Sequence, residues 1–400
     1  MKRSLTAVLL CLLAAPLLAG THAITKIDFR SRIPTTILRS QSLLSEDHTY
    51  SDEELDLAVA RIRRLPFVYD ARFRVEGSTL VVEVADEHHF FYGVDLLGET
   101  SNRLRDSYVD TGIGGRMYVR SGGVLEGGFG NLSGHDDNIG AANLQYSQYG
   151  IGGTPLFASL AVNRSLGGVF GKTDLQPTLT IGMPLSFSQT LSLVALRQGY
   201  HDEHEFALVP RPLRVEQFSE TLELHYRYDT TNDPLFATRG RALEIVPSYG
   251  REKNLFESFV FRPSTGTTIF SEFSRLQDRA VTLHAENYWR AGERTSLIGG
   301  VAARTRRAEG HVESNGIVRP SEHSDKLASA SLLLAHNFFD AGSLTDTRHR
   351  IEGGVDYVID HYAPGRMQRY YELELAYVFR NRWGTVRLTA SHSTADIFHP

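Results

Sequence analysis

The chain has 400 residues, of which 41% are hydrophobic and 22% are charged, and its formal net charge is −5. This apolar fraction argues against a disordered chain, and the negative charge argues against a nucleic-acid partner. The one cysteine, Cys11, lies close to the N-terminus. No disulfide is therefore expected in the rest of the chain, whose stability must come from hydrogen bonds and packing.

Residues 1–23 have the pattern of a secretory signal peptide. Lys2 and Arg3 precede an apolar stretch from Leu5 to Leu18, and small residues up to Ala23 suit a cleavage site. The apolar stretch is too short to span a membrane. The sequence therefore predicts an exported protein.

Residues 24–86 predict a small α+β domain. Ser51 and Glu54 have the spacing of a capping box, and apolar residues at helical spacing follow until Pro66. A strand and a helix that begins near Pro34 are predicted before this segment, and two strands joined through Gly77 are predicted after it. The expected order is strand, helix, helix, strand, strand.

Residues 88–400 predict only strands. In the segment 218–228, Leu222 and Leu224 alternate with Glu223 and His225, which is the period-two pattern of a strand with one apolar face. Sixteen candidate strands follow this kind of pattern, and most have about the 9–11 residues that cross a bilayer. They include 266–274 and 278–290, joined by a tight turn at 275–277, and 294–304.

The links between candidate strands differ in length. Links such as 121–122 are short, whereas 199–217, 251–265 and 305–325 are long, and outer-membrane barrels have short turns at one end and long loops at the other. A sheet in a bilayer must close, because an open edge would leave backbone groups unsatisfied. We therefore predict a mostly β fold, a transmembrane antiparallel β-barrel of about 16 strands, with 14–16 possible.

The segment 50–75, YSDEELDLAVARIRRLPFVYDARFRV, together with the element order of 24–86, resembles a POTRA domain. Such periplasmic domains precede the barrels of the BamA, TamA and two-partner secretion superfamily. The resemblance implies an outer-membrane barrel at the bacterial cell surface, with its N-terminal domain in the periplasm.

Two motifs in the barrel segment resemble motifs of this superfamily. Pro234, Arg239 and Gly240 resemble its P-T-x-G turn, and Gly354 and Asp356 resemble its G-x-D motif on a late strand. Alternation predicts that Asp356 faces the lumen. In the family, this acid pairs with an arginine of an inward-folded loop.

The chain departs from the family at that arginine motif. The corresponding place holds Arg304, Arg306 and Arg307 without the R-G-F pattern, and Leu332–Leu334 stand where the family has a glutamate. We predict that Asp356 pairs with Arg304 or Arg306, since a buried carboxylate is costly unless it is paired. One alternative is that these arginines face solvent or lipopolysaccharide. Two readings also stay open for 294–304, which is either a strand of the barrel or part of an inward loop.

The sequence predicts no catalytic, cofactor or metal site. His201, Asp202, Glu203 and His204 have metal-ligand chemistry, but they lie in a predicted loop rather than on one helix face. No G-x-S-x-G motif occurs, although a hydrolase with another arrangement of serine, histidine and asparagine stays open.

The resemblance implies that the protein inserts or exports client polypeptides without being an enzyme. The expected partners are outer-membrane lipid and lipopolysaccharide, client polypeptides and periplasmic chaperones. An extended client would add a strand to an open edge of the N-terminal domain, and a weak seam between the first and last barrel strands would open. The alternative is a structural or passive barrel that has lost this activity, and an outer-membrane hydrolase is the third choice.

Overall fold

The structure is a computed structural model. It describes residues 20–101, 105–119, 121–134, 137–165, 172–173, 175–204, 209, 212–262, 266–314, 316–339, 347–363 and 366–394.

Residues 20–86, here called the N-terminal unit, fold into two helices and two small sheets. The elements are β1 (Thr21–Ile24), β2 (Lys26–Arg30), α1 (Thr35–Ser42), β3 (His48–Ser51), α2 (Asp52–Arg63), β4 (Val68–Glu76) and β5 (Thr79–Asp86). Strand β1 pairs with β3, and the other sheet has the order β2-β5-β4, with β2 parallel to β5.

The predicted capping box is confirmed at the start of α2. The Glu54 N–H donates to Ser51 Oγ over 3.2 Å, and the Ser51 N–H donates to Glu54 Oε2 over 2.8 Å. Leu55, Val59 and Ile62 then form the buried face of the helix. Residues 1–19 lie outside the described residues, and β1 overlaps the end of the predicted signal peptide, so that boundary stays a prediction.

The described residues from Phe90 to Ser393 form a β-barrel, which confirms the predicted fold class. Its strands are β6 (Phe90–Ser101), β7 (Arg105–Val119), β8 (Gly123–Gly134), β9 (Asp137–Tyr149), β10 (Phe157–Ser165), the short β11 (Lys172–Thr173), β12 (Gln176–Pro184), β13 (Gln189–His204), β14 (Leu213–Asp229), β15 (Gly240–Arg262), β16 (Gly266–Arg290), β17 (Thr295–Ser314), β18 (Ile317–Asn337), β19 (Thr347–Ala363), β20 (Arg366–Asn381) and β21 (Gly384–Ser393). A 3₁₀ turn, Ile151–Gly153, lies between β9 and β10.

The barrel closes through a parallel pair of strands. Among the described residues, fifteen strands form the ring and β11 is an extra strand paired with β13. Consecutive strands run antiparallel, so an odd number leaves the first and the last strand pointing the same way. Strand β21 accordingly pairs with β6 in parallel, from Gly384 opposite Tyr92 to Ser393 opposite Ser101.

Two predicted strands, 266–274 and 278–290, are in fact one. Strand β16 runs unbroken through the predicted turn at 275–277 and has 25 residues, more than twice the length needed to cross a bilayer. A strand that extends beyond the lipid meets water on both faces. Its polar residues therefore mark its exit from the apolar belt rather than a turn, which reduces the predicted count by one.

Residues 295–314 and 317–325 are part of the wall and do not form an inward loop. Strands β17 and β18 pair continuously from Thr295 opposite His336 to Ser314 opposite Ile317. The predicted long link at 305–325 was wrong for the same reason as the turn in β16. The links predicted at 199–217 and 251–265 are likewise largely occupied by strand, in β13, β14, β15 and β16.

The barrel has two distinct ends. The end that carries the N-terminal unit, here called the proximal end, has turns such as 382–383 and 291–294, and the other end is the distal end. Outward-facing residues form an apolar belt, exemplified by Leu222, Leu224 and Leu375, which are 41–56% exposed. No described helix is both long and apolar enough to span a membrane.

Candidate functional site

The N-terminal unit packs against the proximal end of the barrel through a shared apolar cluster. Val124 and Tyr149 of the barrel belong to the same buried cluster as Ile37 and Phe67 of the unit. The rings of Phe67 and Tyr149 lie 5.6 Å apart, edge to face. Burying each such large side chain stabilises the junction by about 1.5–3 kcal/mol.

Polar contacts from the unit reach strands on opposite sides of the ring. From the unit, Gln41 Nε2 donates to the Pro155 carbonyl (3.0 Å) and Arg61 donates to Thr190 Oγ1 (3.0 Å). From the barrel, Arg380 donates to the Val68 carbonyl (3.1 Å) and Arg116 donates to the Pro66 carbonyl (3.3 Å). The unit therefore lies across the mouth of the barrel rather than against a single strand.

The turn between β14 and β15, residues 230–239, is largely buried and is here called the inward turn. Phe236 and Ala237 are each 2% exposed. Asn337 Nδ2 donates to the Phe236 carbonyl over 3.0 Å, and Ser296 Oγ donates to the Ala237 carbonyl over 3.2 Å. The wall strands β17 and β18 thus satisfy the backbone of the turn, as a buried loop requires.

Arg348 joins the wall, the inward turn and the N-terminal unit. Its side chain is 3% exposed and forms ion pairs with Asp233 of the turn, at 2.8 Å, and with Asp70 of β4. Asp70 is itself 1% exposed and accepts a hydrogen bond, 2.9 Å long, from Arg63. Charges this deeply buried are tolerated because each has an opposite partner.

Helix α2 supplies a second cationic contact beside the first. Arg64 donates to the Asp229 carboxylate and to the Thr231 carbonyl, both over 2.7 Å. The neighbouring Arg63 donates to the Asn232 carbonyl over 2.7 Å. Arg63 at the end of α2 and its C-cap, Arg64, therefore bind the inward turn directly.

The carboxyl of Asp233 is held ionised by its surroundings. Burial opposes ionisation, but the guanidinium groups of Arg348 and Arg63 outweigh it. Backbone N–H groups of Leu235 and Phe236 also donate to this carboxylate, at 3.0 and 2.9 Å. The pKa of Asp233 consequently lies below the ordinary value for aspartate.

The residues of the predicted turn motif lie in and beside the inward turn. Pro234 follows Asp233, and Arg239 forms an ion pair of 2.8 Å with Asp56 of α2 in which both side chains are more than half exposed. Gly240 has φ +114°, and a Cβ there would overlap the backbone of Thr230. Only glycine suits this position without strain.

A second charged cluster joins the unit to the closing strands. Glu87 forms ion pairs with Arg380 of β20, at 2.7 Å, and with Arg116 of β7, at 3.2 Å. Asp86 accepts from Arg382 in the turn between β20 and β21, at 3.1 Å. The link between the unit and β6 is therefore anchored to strands on both sides of the parallel pair.

The structure does not bring the predicted arginine and aspartate pair together. Arg306 instead pairs with Asp278, at 2.7 Å, and with Glu252, at 3.2 Å, and Arg304 lies 4.0 Å from Asp325. Asp356 alternates with the exposed Val355 on β19, and it has no ion pair among the described residues. The prediction depended on an inward loop, and residues 304 and 306 belong to the wall.

Gly354 of the late-strand motif has a packing role. A Cβ on this residue would overlap the backbone of Leu332 and Leu333 in the neighbouring strand β18. Because glycine has no Cβ, β18 and β19 can approach each other closely beside Asp356.

The buried charges at the junction were missed in the sequence. Asp70, Asp233 and Arg348 are far apart along the chain, and no local spacing relates them to one another, so the sequence did not predict that they meet. Within the described residues, no group of three or more His, Cys, Asp or Glu side chains is arranged to hold a metal ion. The groups that converge here bind and position a domain.

No family model and no curated protein matches the chain. Among solved structures, it is similar to BamA from Haemophilus ducreyi lacking POTRA domains 1–3, at 14% identity and a TM-score of 0.42, over 94% of this chain and 82% of that chain. It is also similar to CdiB from Acinetobacter baumannii, at 11% identity and a TM-score of 0.39, over 90% and 70% of the two chains. The copper transporter OprC matches at 11% identity and a TM-score of 0.32, over 89% and 68%.

Proposed function

We propose that this protein is an outer-membrane β-barrel that handles client polypeptides, with its N-terminal unit in the periplasm. The membrane location is supported by the apolar belt, since soluble proteins rarely expose continuous apolar surface of this extent. On β20, for example, Leu373 and Leu375 are 53% and 56% exposed. The short turns at the proximal end are typical of the periplasmic side of such barrels.

Aromatic residues flank the belt at both ends, as they do in transmembrane barrels. Outward-facing Tyr226, Tyr228 and Trp289 lie towards the proximal end, and Tyr249 lies towards the distal end. Tyr357 and Tyr371 form a second distal group, with ring centroids 5.0 Å apart. The rings of tyrosine and tryptophan are amphipathic and prefer the membrane–water interface, so their positions at the two ends of the belt support a membrane location.

The open edge of β4 is the observation that carries the client-handling proposal. β4 is an edge strand of the β2-β5-β4 sheet, and the outward Ala71 carbonyl accepts a hydrogen bond from Arg63. By strand periodicity, the backbone groups of Phe73 and Val75 also point away from β5. An extended client segment can add to this edge as a new strand.

The parallel seam between β6 and β21 supports the second step, in which the client meets the membrane. Parallel pairing is slightly less stable per residue than antiparallel pairing. A cavity of 590 Å³ lies beside the seam, and its lining includes Gly93, Gly112, Gly128 and Gly130. This glycine-rich wall leaves room for an extended chain next to the strands that would separate.

A passive barrel is the second candidate, and the junction favours it. Arg348, Asp70 and Asp233 are buried ion-pair partners that hold the N-terminal unit across the mouth. Moving the unit would require breaking these pairs. If these pairs stay intact, the barrel would have a structural role and no client.

Depletion of the protein in its host separates the two functions. A client-handling barrel predicts loss of other outer-membrane proteins from the membrane fraction, measured by quantitative mass spectrometry. An unchanged profile supports the passive barrel.

Variants at Val75 test the edge itself in the same assay. Val75→Pro removes one outward N–H without touching the pairing to β5, because the ladder uses alternate residues. Val75→Ala keeps this N–H and is the matched control. We expect only the proline variant to reproduce the depletion profile while its barrel keeps wild-type heat resistance in SDS. Normal levels of outer-membrane proteins in Val75→Pro cells would exclude strand addition at β4.

A further inference from the structure

Five basic side chains face outward on neighbouring strands just beyond the apolar belt. They are here called the basic patch and comprise Arg197, Arg251, Lys253, Arg275 and Arg279. All five are exposed.

Strand periodicity places the patch at the distal rim. On β15, Arg251 follows the outward Tyr249, which is 40% exposed, by two residues and lies on the distal side of it. On β16, which runs the other way, Arg279 precedes the outward Val281, which is 44% exposed. Because residues two apart share a face, both arginines continue the lipid-facing surface where the apolar belt ends.

The register places like charges directly opposite one another. Lys253 pairs with Arg275, and Arg251 is a diagonal neighbour of Arg279 across β15 and β16. Arg279 in turn lies opposite Arg307 of β17. Like charges in directly opposite positions destabilise a sheet.

Carboxylates do not neutralise the patch. Among the described residues, none of its five members forms an ion pair, although Glu220 lies between Arg197 and Arg251 in the register. Arg307 differs, because it pairs with Glu309 and with Glu322. Glu220 is directly opposite both Arg197 and Arg251, and the five cations outnumber it, so the patch keeps an excess of positive charge.

Aromatic rings hold three of these cations close to the barrel surface. The Arg197 guanidinium lies 4.6 Å from the Phe218 ring, and Lys253 Nζ lies 5.9 Å from the same ring. The Arg275 guanidinium lies 4.9 Å from the Phe273 ring. Cation–π contacts of this kind limit the freedom of the side chains at a depth where lipid headgroups begin.

We propose that the basic patch binds the phosphate groups of lipopolysaccharide in the outer leaflet. Guanidinium groups bind phosphate bidentately, and an anion between Lys253 and Arg275 offsets their repulsion. The position of the patch, level with headgroups and continuous with the belt, selects a phosphorylated lipid rather than a soluble anion. The inference rests on the proposed outer-membrane location.

Binding of bisphosphorylated lipid A to the full chain, purified in zwitterionic detergent, tests the patch. We expect Lys253→Gln/Arg275→Gln to weaken binding at least tenfold. The matched control, Lys326→Gln/Arg369→Gln, removes the same charge from outward positions on β18 and β20 and is expected to bind within twofold of wild type. Because the patch variant removes a repulsive pair, its thermal midpoint without lipid A should equal or exceed that of wild type.

Three results would overturn the proposal. The first is that the patch variant and the control variant bind lipid A equally well. The second is that the wild-type protein binds dephosphorylated lipid A as tightly as bisphosphorylated lipid A. The third is that inorganic phosphate stabilises the protein as much as lipid A does at the same phosphate concentration, which would indicate a site for free anions. The assay in detergent does not depend on cellular location. Membrane fractionation tests that location separately, so failure of the patch and failure of the proposed function are distinguishable.

Discussion

At the proximal end of the barrel, Arg348 is 3% exposed and contacts Asp70 and Asp233, whereas at the distal end Arg251 and Arg279 are exposed and have no carboxylate partner among the described residues. Burial explains the contrast. A guanidinium removed from water needs an opposite charge, while an exposed one is solvated and free to meet an external anion. The same residue type therefore joins domains at one end and faces the surroundings at the other.

Replacing Arg348 should lower the stability of the protein most, because both of its charge partners are buried. Arg348→Ala leaves Asp70 and Asp233 buried without the cation they share, and breaking a buried pair in this way costs about 3–5 kcal/mol. We expect a lower temperature of heat-induced mobility change in SDS gels. A variant that melts like wild type would show that the junction does not depend on this ion pair.

Gly240→Ala should have the next largest effect. The positive φ of Gly240 and the close Thr230 backbone make any Cβ strained there, at a cost of about 1–3 kcal/mol. Gly292→Ala is the matched control in another proximal turn, since its Cβ would meet only Thr295, at 3.7 Å. Equal thermal midpoints for the two variants would contradict a strained, tightly packed inward turn.

Acid should destabilise the inward turn at the proximal end and leave the basic patch at the distal end unaffected. The pKa of Asp233 is depressed in the fold, so its contribution is complete above the unfolded value of about 3.9 and is lost as the pH falls through the lower folded pKa. Protease sensitivity of residues 230–239, followed from pH 6 to pH 3, should rise in wild type. Asp233→Asn should show a smaller change with pH, and an identical pH profile would exclude Asp233 as its source.

Arg307→Ala should have the smallest effect and serves as the distal counterpart of Arg348→Ala. Arg307, Glu309 and Glu322 are 60%, 53% and 63% exposed, and exposed ion pairs contribute about 0–1 kcal/mol. The thermal midpoint should therefore stay close to that of wild type. A loss as large as that of Arg348→Ala would mean that burial does not distinguish the two ends.

Much of the fold could be predicted from local patterns. Alternating residues such as Leu222 and Glu223 predicted strands with one apolar face, and the Ser51–Glu54 spacing predicted a helix start that the structure confirms. Both signals depend on residues within a few positions of each other. The split of β16 and the loop at 305–325 were wrong because alternation fades once a strand leaves the lipid.

The candidate site could not be predicted in this way. Asp70 and Arg348 are separated by most of the chain and meet only when the N-terminal unit docks on β19. Arg306 and Asp356 looked suitable as partners by residue type, but the continuous pairing of β17 and β18 keeps Arg306 in the wall beside Asp278. Charge type limits which pairs are possible, and register decides which of them form.

The sequence by itself determined that the chain forms strands with one apolar face, because the alternation of side chains is written in neighbouring residues. Only the tertiary structure decided the odd strand number, the parallel seam between β6 and β21, and the docking of the N-terminal unit. These features depend on where strands end and on contacts between distant residues, and neither is encoded by any short segment.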